Sequence, residues 1–255
     1  MLHVQVWLPG RPAPRLQWRD RAGFAPASAH RNGWILRKMG GERKSRAAMP
    51  ERLAEHNETM TLTVRLISHA ANAELRAGSF PDDAPLDARG LAEAARAASH
   101  WRWPREARAL SSPALRARQT AEALGLDAEP EPALSDLDAG RWRGRKLMAI
   151  ANDAPEQLEA WIIDPAAAPP GGESHLEVLR RVSAWLDALP ASGSFVAVTH
   201  AAVLRAALAH ALGISPEAML RIDIAPLGGI ELKRSPRGWI VRLDDKLPSI
   251  AAQHD

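Results

Sequence analysis

From Met60 onward the sequence predicts an α/β fold, a three-layer α/β/α sandwich with a mainly parallel sheet, a small helical cap and a disordered N-terminal extension. Three observations predict it. Strand-like and helix-like stretches alternate along the chain. Phe195-Val196-Ala197-Val198-Thr199 is a short, almost wholly apolar run, as a strand covered on both faces requires. Its helix follows at once, over Ala201 to Leu212, which is the order of a parallel crossover unit.

In chain order, Leu62 to Ile67 alternates and reads as the first strand. Leu91 to Ala98 reads as a helix after the turn Pro85-Leu86-Asp87-Ala88-Arg89-Gly90. Ala107 to Leu110 is a second strand, ended by Ser111-Ser112-Pro113, where Ser112 is placed to cap a helix and Pro113 to occupy its first position. That helix continues through Arg116, Ala117, Thr120, Ala121 and Leu124. A further helix through Leu176, Leu179, Val182 and Leu186 starts at Glu173-Ser174, where capping is the expected work of Ser174. Gly229 to Lys233 and Trp239 to Leu243 flank Ser235-Pro236-Arg237-Gly238 as a hairpin.

The 255 residues are 46% apolar and 25% charged, material for one sizeable core. Cysteine is absent, which removes disulfides, thiolate metal sites and cysteine nucleophiles together. The net charge of +3 is unevenly placed: residues 1–59 carry 11 Lys and Arg against 5 acids, the remainder 22 against 25. The leading segment lacks periodicity beyond short pieces such as His3 to Leu8 and reads as an extension, with Met60 as an alternative start. Its five acids argue against a mitochondrial presequence. Its cations lack the aromatic or groove-reading company of a nucleic-acid face, and no apolar run is long enough for a bilayer. The expectation is a cytoplasmic protein with a domain over residues 60–249 and a tail over 250–255, acting on a small molecule, with neither nucleic acid nor membrane as partner.

Three strand-to-helix junctions each place a phosphate-competent side chain just past the carboxyl end of a strand: His69, Arg116 and His200. In open α/β sheets that edge is where ligands bind, and helix amino ends there add unpaired N–H groups that suit an anion. His175 and His210 have no partner at metal-ligand spacing, and read as core or surface histidines. Trp142 and Trp161 lie in the stretch expected to cover the pocket, where they either contact a substrate ring or pack, and packing is the expected work of both.

Six blocks of sequence resemble one family. Leu66-Ile67-Ser68-His69-Ala70 is similar to the Arg-His-Gly opening of the histidine phosphatase (phosphoglycerate mutase-like) superfamily, and Pro85 to Gly90 to its "PLTERG" turn. Ser111 to Ala121 resembles its "SSPLxRARQTA" helix, and Leu134 to Gly144 its "LxExDFGxWEG" block. Gly171 to Ser174 and Val198 to Arg205 resemble its "GGES" and "VSHGGVIR". The blocks keep the family order over residues 62–205.

The resemblance implies a phosphomonoester phosphatase that works through phosphohistidine on a small phosphorylated metabolite, without metal or cofactor. It makes His69 the nucleophile, Arg116 and His200 the groups that hold the phosphoryl oxygens, and Asp136 the proton donor. Phosphoryl transfer asks for this set, since positioning and cations around the oxygens do most of the catalysis. A neutral imidazole attacking through one nitrogen should donate its other N–H to a backbone carbonyl. A compact cap, about Gly140 to Gly172, is similar to that of small-molecule phosphatases, with mutase-type phosphotransfer ranked behind.

Three departures from the family pattern are visible. Ser68 stands where the family has an Arg, and loss of such a donor costs on the order of 10²–10³ in turnover. Arg76, seven residues after His69, is either its replacement or a surface Arg. Asp136 is shorter than the family Glu and reads either as the acid or as a loop cap, and Ala70 replaces a Gly. A pseudophosphatase that binds phosphorylated ligands without turnover is the alternative that these departures permit.

Overall fold

The computed structural model describes residues 61–99 and 101–243. The leading segment, its His3 to Leu8 piece and the tail at 250–255 lie outside the described residues. Among the described residues six strands form one sheet: β1 (Leu62–Ser68), β2 (Arg108–Ser111), β3 (Glu129–Pro130), β4 (Gly193–Thr199), β5 (Gly229–Ser235) and β6 (Gly238–Leu243). Their order is β3-β2-β4-β1-β5-β6. The first four run parallel, β5 is antiparallel to its neighbour β1, and β6 turns back antiparallel to β5 as the outer strand of a hairpin.

Burial on alternate residues makes this sheet the middle of three layers. On one face Leu62, Val64 and Leu66 of β1 and Phe195 and Ala197 of β4 join the side chains of α6 (His175–Ala188) and α7 (Ala201–Leu212). On the other face Ile67, Val196 and Val198 pack with α2 (Ala88–Ala98) and α3 (Leu115–Ala123). β4 lies between β1 and β2 with Phe195 to Thr199 all buried, which is why its run has no polar alternation.

Two helix starts differ from the sequence expectation. α2 begins at Ala88, three residues early, because the Asp87 carboxylate caps it by accepting the Gly90 N–H. α3 begins at Leu115, and its N-cap is Ala114 without a side-chain bond. Ser112 and Pro113 therefore precede the helix, and the Ser112 hydroxyl is used elsewhere. Ser174 does cap α6, in a reciprocal capping box with Glu177. Three short elements escaped the periodicity: α1 (Ala73–Arg76), β3 and α8 (Pro216–Met219).

The cap consists of a 3₁₀ turn (Gly140–Trp142), α4 (Leu147–Asp153) and α5 (Pro155–Ile163). Its two ends are stitched together, with Arg141 N–H on Pro170 O at 3.0 Å and Glu173 N–H on Asp138 O at 2.8 Å. A Cβ on Gly172 would lie 2.2 Å from Asp138 O, so only glycine permits this closure. Trp142, 2% exposed, packs against Phe80, Ile150 and Trp161 beneath these helices. Packing is thus the work of Trp142. Trp142→Ala is expected to cost about 3–5 kcal/mol, lowering the midpoint of thermal unfolding by on the order of 10 °C in calorimetry. No helix among the described residues is long and apolar enough to cross a membrane.

Candidate active site

The parallel topology brings three chain-distant residues to one rim. β1 and β4 are neighbours in register, Ser68 opposite Thr199, so His69 and His200 leave adjacent strand ends together. The His69 N–H donates to Thr199 O at 2.8 Å and locks that alignment. β2 flanks β4 on its other side, Ser111 opposite Val198, so Arg116 in the first turn of α3 reaches the same spot. All three side chains are buried, Arg116 to 4% exposure.

The contacts among them are direct. His69 Nδ1 lies 2.7 Å from Ala70 O, a carbonyl that can only accept, so Nδ1 carries the proton and Nε2 keeps its lone pair. Arg116 Nε donates to that Nε2 at 3.3 Å. Arg116 Nη2 donates to Asp136 Oδ2 at 2.7 Å and lies 3.4 Å from His200 Nδ1, while Asp136 Oδ2 is 3.1 Å from the same nitrogen. The His69 and His200 rings meet edge to face with centroids 5.0 Å apart. His69, Asp136 and His200 offer ligand atoms within 4.8 Å of one another, but the Arg116 guanidinium stands against all three and already supplies the cluster's cation.

Electrostatics follows from this crowding. Burial, with His200 and Arg116 adding to it, pushes the His69 pKa down to about 3, so the ring is neutral at any ordinary pH. Burial alone would raise the Asp136 carboxyl, yet the His200 ring and the Arg116 guanidinium outweigh it and hold the group well below the usual carboxylate range. Asp136 is ionised in the resting site.

Two cavities meet here. One of about 740 Å³ is lined by Ser112, Arg116 and Asp136 at its inner end and by Asp82, Asp138 and Arg143 further out. A second, about 60 Å³, is lined by His69, Asn72, Leu75 and Ser79. Arg116, Asp136 and Pro81 line both and stand between them.

The remaining candidates are placed differently. Arg76 is not a replacement phosphate fork: its guanidinium pairs with Asp87 and donates to Ala71 O at 2.9 Å, and it lines neither cavity. Asp87 is the N-cap of α2, which holds Arg76 away from the rim. Ser68, the last residue of β1, also lines neither cavity. Ala70 is fully buried, with its N–H on Thr120 Oγ1 at 3.1 Å and its carbonyl on the nucleophile candidate. A Cβ on Gly90 would lie 2.4 Å from Ala71 O, so α2 packs tightly under this loop only because residue 90 is glycine.

Residues 64–245 match the model of the histidine phosphatase superfamily, branch 1. The chain belongs to that superfamily. A protein of Proteus mirabilis named probable phosphoglycerate mutase is 30% identical over 176 residues, 62% of this chain and 80% of that one. A bifunctional protein of Mycobacterium tuberculosis is 33% identical over 127 residues, which are 46% of this chain and only 35% of that protein's length. The crystal structure of the alpha-ribazole phosphatase from Shigella flexneri superposes with a TM-score of 0.64 at 22% identity, covering 71% of this chain and 95% of that one, and shows the shared fold.

The rim also uses residues that sequence reasoning passed over. Ser112, read as a cap, bonds His200 Nε2 at 2.7 Å. Asn72 caps α1, reaches Ala84 O at 3.2 Å and lines the small cavity. No spacing rule marks either, because both act through loops. His210 pairs with Asp187 on the surface, as a non-ligand histidine.

His175 is buried among Trp161 of α5, Arg205 of α7 and, further off, Asp136. Desolvation first, then Arg205, lowers its pKa to about 4. A base so lowered is protonated in the unfolded chain before the folded one. Its contribution is therefore intact above pH 6.5, the unfolded value, and lost as pH falls from there to about 4. On the order of 3 kcal/mol of stability from His175 should disappear over that window, added to the loss from His69, whose pKa is pushed down to about 3, so His175→Leu should make the fall shallower without abolishing it in denaturant titrations at stepped pH. Asp136 does not mask this, since a depressed carboxylate loses its contribution only below about pH 4.

Proposed function

We propose that this chain is a phosphomonoesterase that transfers a phosphoryl group from a small phosphorylated metabolite to His69 and then to water. The observation that carries the reading is the neutral His69 ring, back-bonded to Ala70 O, with its Nε2 lone pair 3.3 Å from a buried guanidinium. That arrangement holds a nucleophile and an oxyanion partner side by side. In the first step Nε2 forms a bond to phosphorus as the ester P–O bond breaks, with Arg116 and His200 on the oxygens. In the second, water attacks phosphorus, the N–P bond breaks and phosphate leaves.

Asp136 is the proton carrier for both steps. In the resting site it is ionised because it holds the positions on Arg116 and His200 that a phosphoryl group would take. An arriving phosphate displaces it, removes both partners and sets a dianion beside it, each of which raises its affinity for a proton. The protonated carboxyl then donates to the leaving oxygen, and the carboxylate accepts from the water.

A second reading has one observation in its favour. With Ser68 in place of the family Arg and Arg76 tied to Asp87, Arg116 is the guanidinium that contacts His69, and a binder without turnover remains physically open. Rapid acid and base quenching with a labelled phosphomonoester separates the two. An acid-labile, base-stable label on His69 together with phosphate release from p-nitrophenyl phosphate supports the enzyme; saturable binding with neither sinks it in favour of the binder.

A further inference from the structure

We propose that Ser112 is a positioning residue that selects the tautomer of His200, an inference that rests on the phosphatase reading of the same site. Ser112 is fully buried, and its backbone N–H is pinned to Val198 O of β4 at 2.8 Å. Its Oγ lies 2.7 Å from His200 Nε2 and accepts the Ala114 N–H at 3.2 Å. One lone pair of the hydroxyl is thereby occupied, leaving one proton to give and one lone pair to offer.

The opposite nitrogen of His200 defines what this hydroxyl must do. Nδ1 faces Asp136 Oδ2 at 3.1 Å, the place that a phosphoryl oxygen takes when substrate displaces the carboxylate. Either anion calls for a proton on Nδ1, while the Arg116 Nη2 donor 3.4 Å from the same nitrogen would suit a lone pair there, so the rear partner settles the choice in favour of an N–H toward the anion. In a neutral ring that forces Nε2 to be the acceptor, and Ser112 O–H is the donor that reaches it. In the imidazolium both nitrogens donate, and the same hydroxyl accepts through its remaining lone pair. Ser112 thus keeps an N–H aimed at the anion in both charge states of His200.

The two histidines of the site are distinguished by their rear partners. His69 is backed by a carbonyl, which accepts only and leaves a lone pair in front, as a nucleophile requires. His200 is backed by a hydroxyl, which gives or accepts and leaves an N–H in front, as an oxyanion donor requires. Ser112→Ala removes the donor to Nε2, so the neutral ring is free to move its proton there and present a lone pair to phosphate.

The test uses the full chain labelled with ¹⁵N-histidine, with His200 assigned by comparison with His200→Gln. In the unmutated protein the neutral His200 ring is expected to show a protonated Nδ1 and an unprotonated Nε2, and in Ser112→Ala the proton should move to Nε2 in a substantial fraction. In parallel, kcat/KM for p-nitrophenyl phosphate should fall roughly ten- to a hundredfold in Ser112→Ala, the scale for outer partners that orient an imidazole. Ser112→Thr should keep both the tautomer and most of the rate. An Nε2-protonated neutral ring in the unmutated chain overturns the proposal whether or not the Ala variant folds, and so does an unchanged tautomer in Ser112→Ala. Absence of phosphate release from the unmutated chain would instead count against the phosphatase reading and leave the tautomer measurement standing.

Discussion

Replacing His69 by Ala is expected to reduce phosphate release to about one ten-thousandth of the unmutated rate or less, the scale on which a covalent nucleophile is lost. No neighbour can take over. His200 turns Nδ1 toward the same space, but in the arrangement proposed above that nitrogen carries the proton while Ser112 bonds Nε2, so it has no lone pair to offer phosphorus. Asp136 is an anion held by Arg116 and His200, a poor nucleophile toward another anion. The loss should be in turnover, with sulfate or phosphate still bound, because Arg116 and His200 are untouched. Steady-state rates with p-nitrophenyl phosphate and anion binding by calorimetry check both halves. Retention of more than a hundredth of the rate would mean that the nucleophile is another group. Because the His69 pKa is pushed down to about 3, the unmutated protein should also keep a competent nucleophile at pH 5, so protonation of this ring does not shape the acid side of its rate profile.

How much of this was legible in the sequence depends on what fixes each side chain. His69, Arg116 and His200 could be placed together because parallel strands oblige their carboxyl ends to share a rim, and β1, β4 and β2 turn out to be neighbours there. β4 was readable as a central strand because burial on both faces leaves a composition that little else produces. The proton on His69 Nδ1 followed from chemistry alone, since a nucleophilic ring needs an acceptor behind it, and Ala70 O is that acceptor.

Side chains governed by loops were not legible. Arg76 stands seven residues from His69, near enough to reach it, but α2 begins three residues earlier than its apolar pattern suggests and sets Asp87 within reach first. Ser112 before a proline matches a helix start, and local preference could not reveal that α3 would begin at Leu115 or that the freed hydroxyl would meet a ring 88 residues away, just past the end of β4. Asp136 was open between acid and loop cap. It does accept its neighbour's N–H from Leu137 at 2.9 Å, yet its other oxygen holds the site's cation, a pairing that only the fold creates.

That pairing makes Arg116 the second position with a large expected effect. Arg116→Ala should lower kcat/KM by about 10³ or more, at or beyond the upper end for one oxyanion donor, because Ser68 leaves no second fork to share the load. Arg116→Lys should recover little. A single ammonium cannot hold Nε against His69 at 3.3 Å and Nη2 against Asp136 at 2.7 Å at once, a task that needs the planar span of a guanidinium. Arg116 is also one of the charges that lower His69, after burial and His200. Without it the ring gains protons at higher pH, so the residual activity of Arg116→Ala should fall away on the acid side sooner than that of the unmutated protein. Added guanidinium ion at millimolar concentration should restore part of the rate to Arg116→Ala and none to His69→Ala. Equal rates for Lys and Arg at this position would show that a point charge suffices, and the forked contact seen between Nε and Nη2 would then have no catalytic weight.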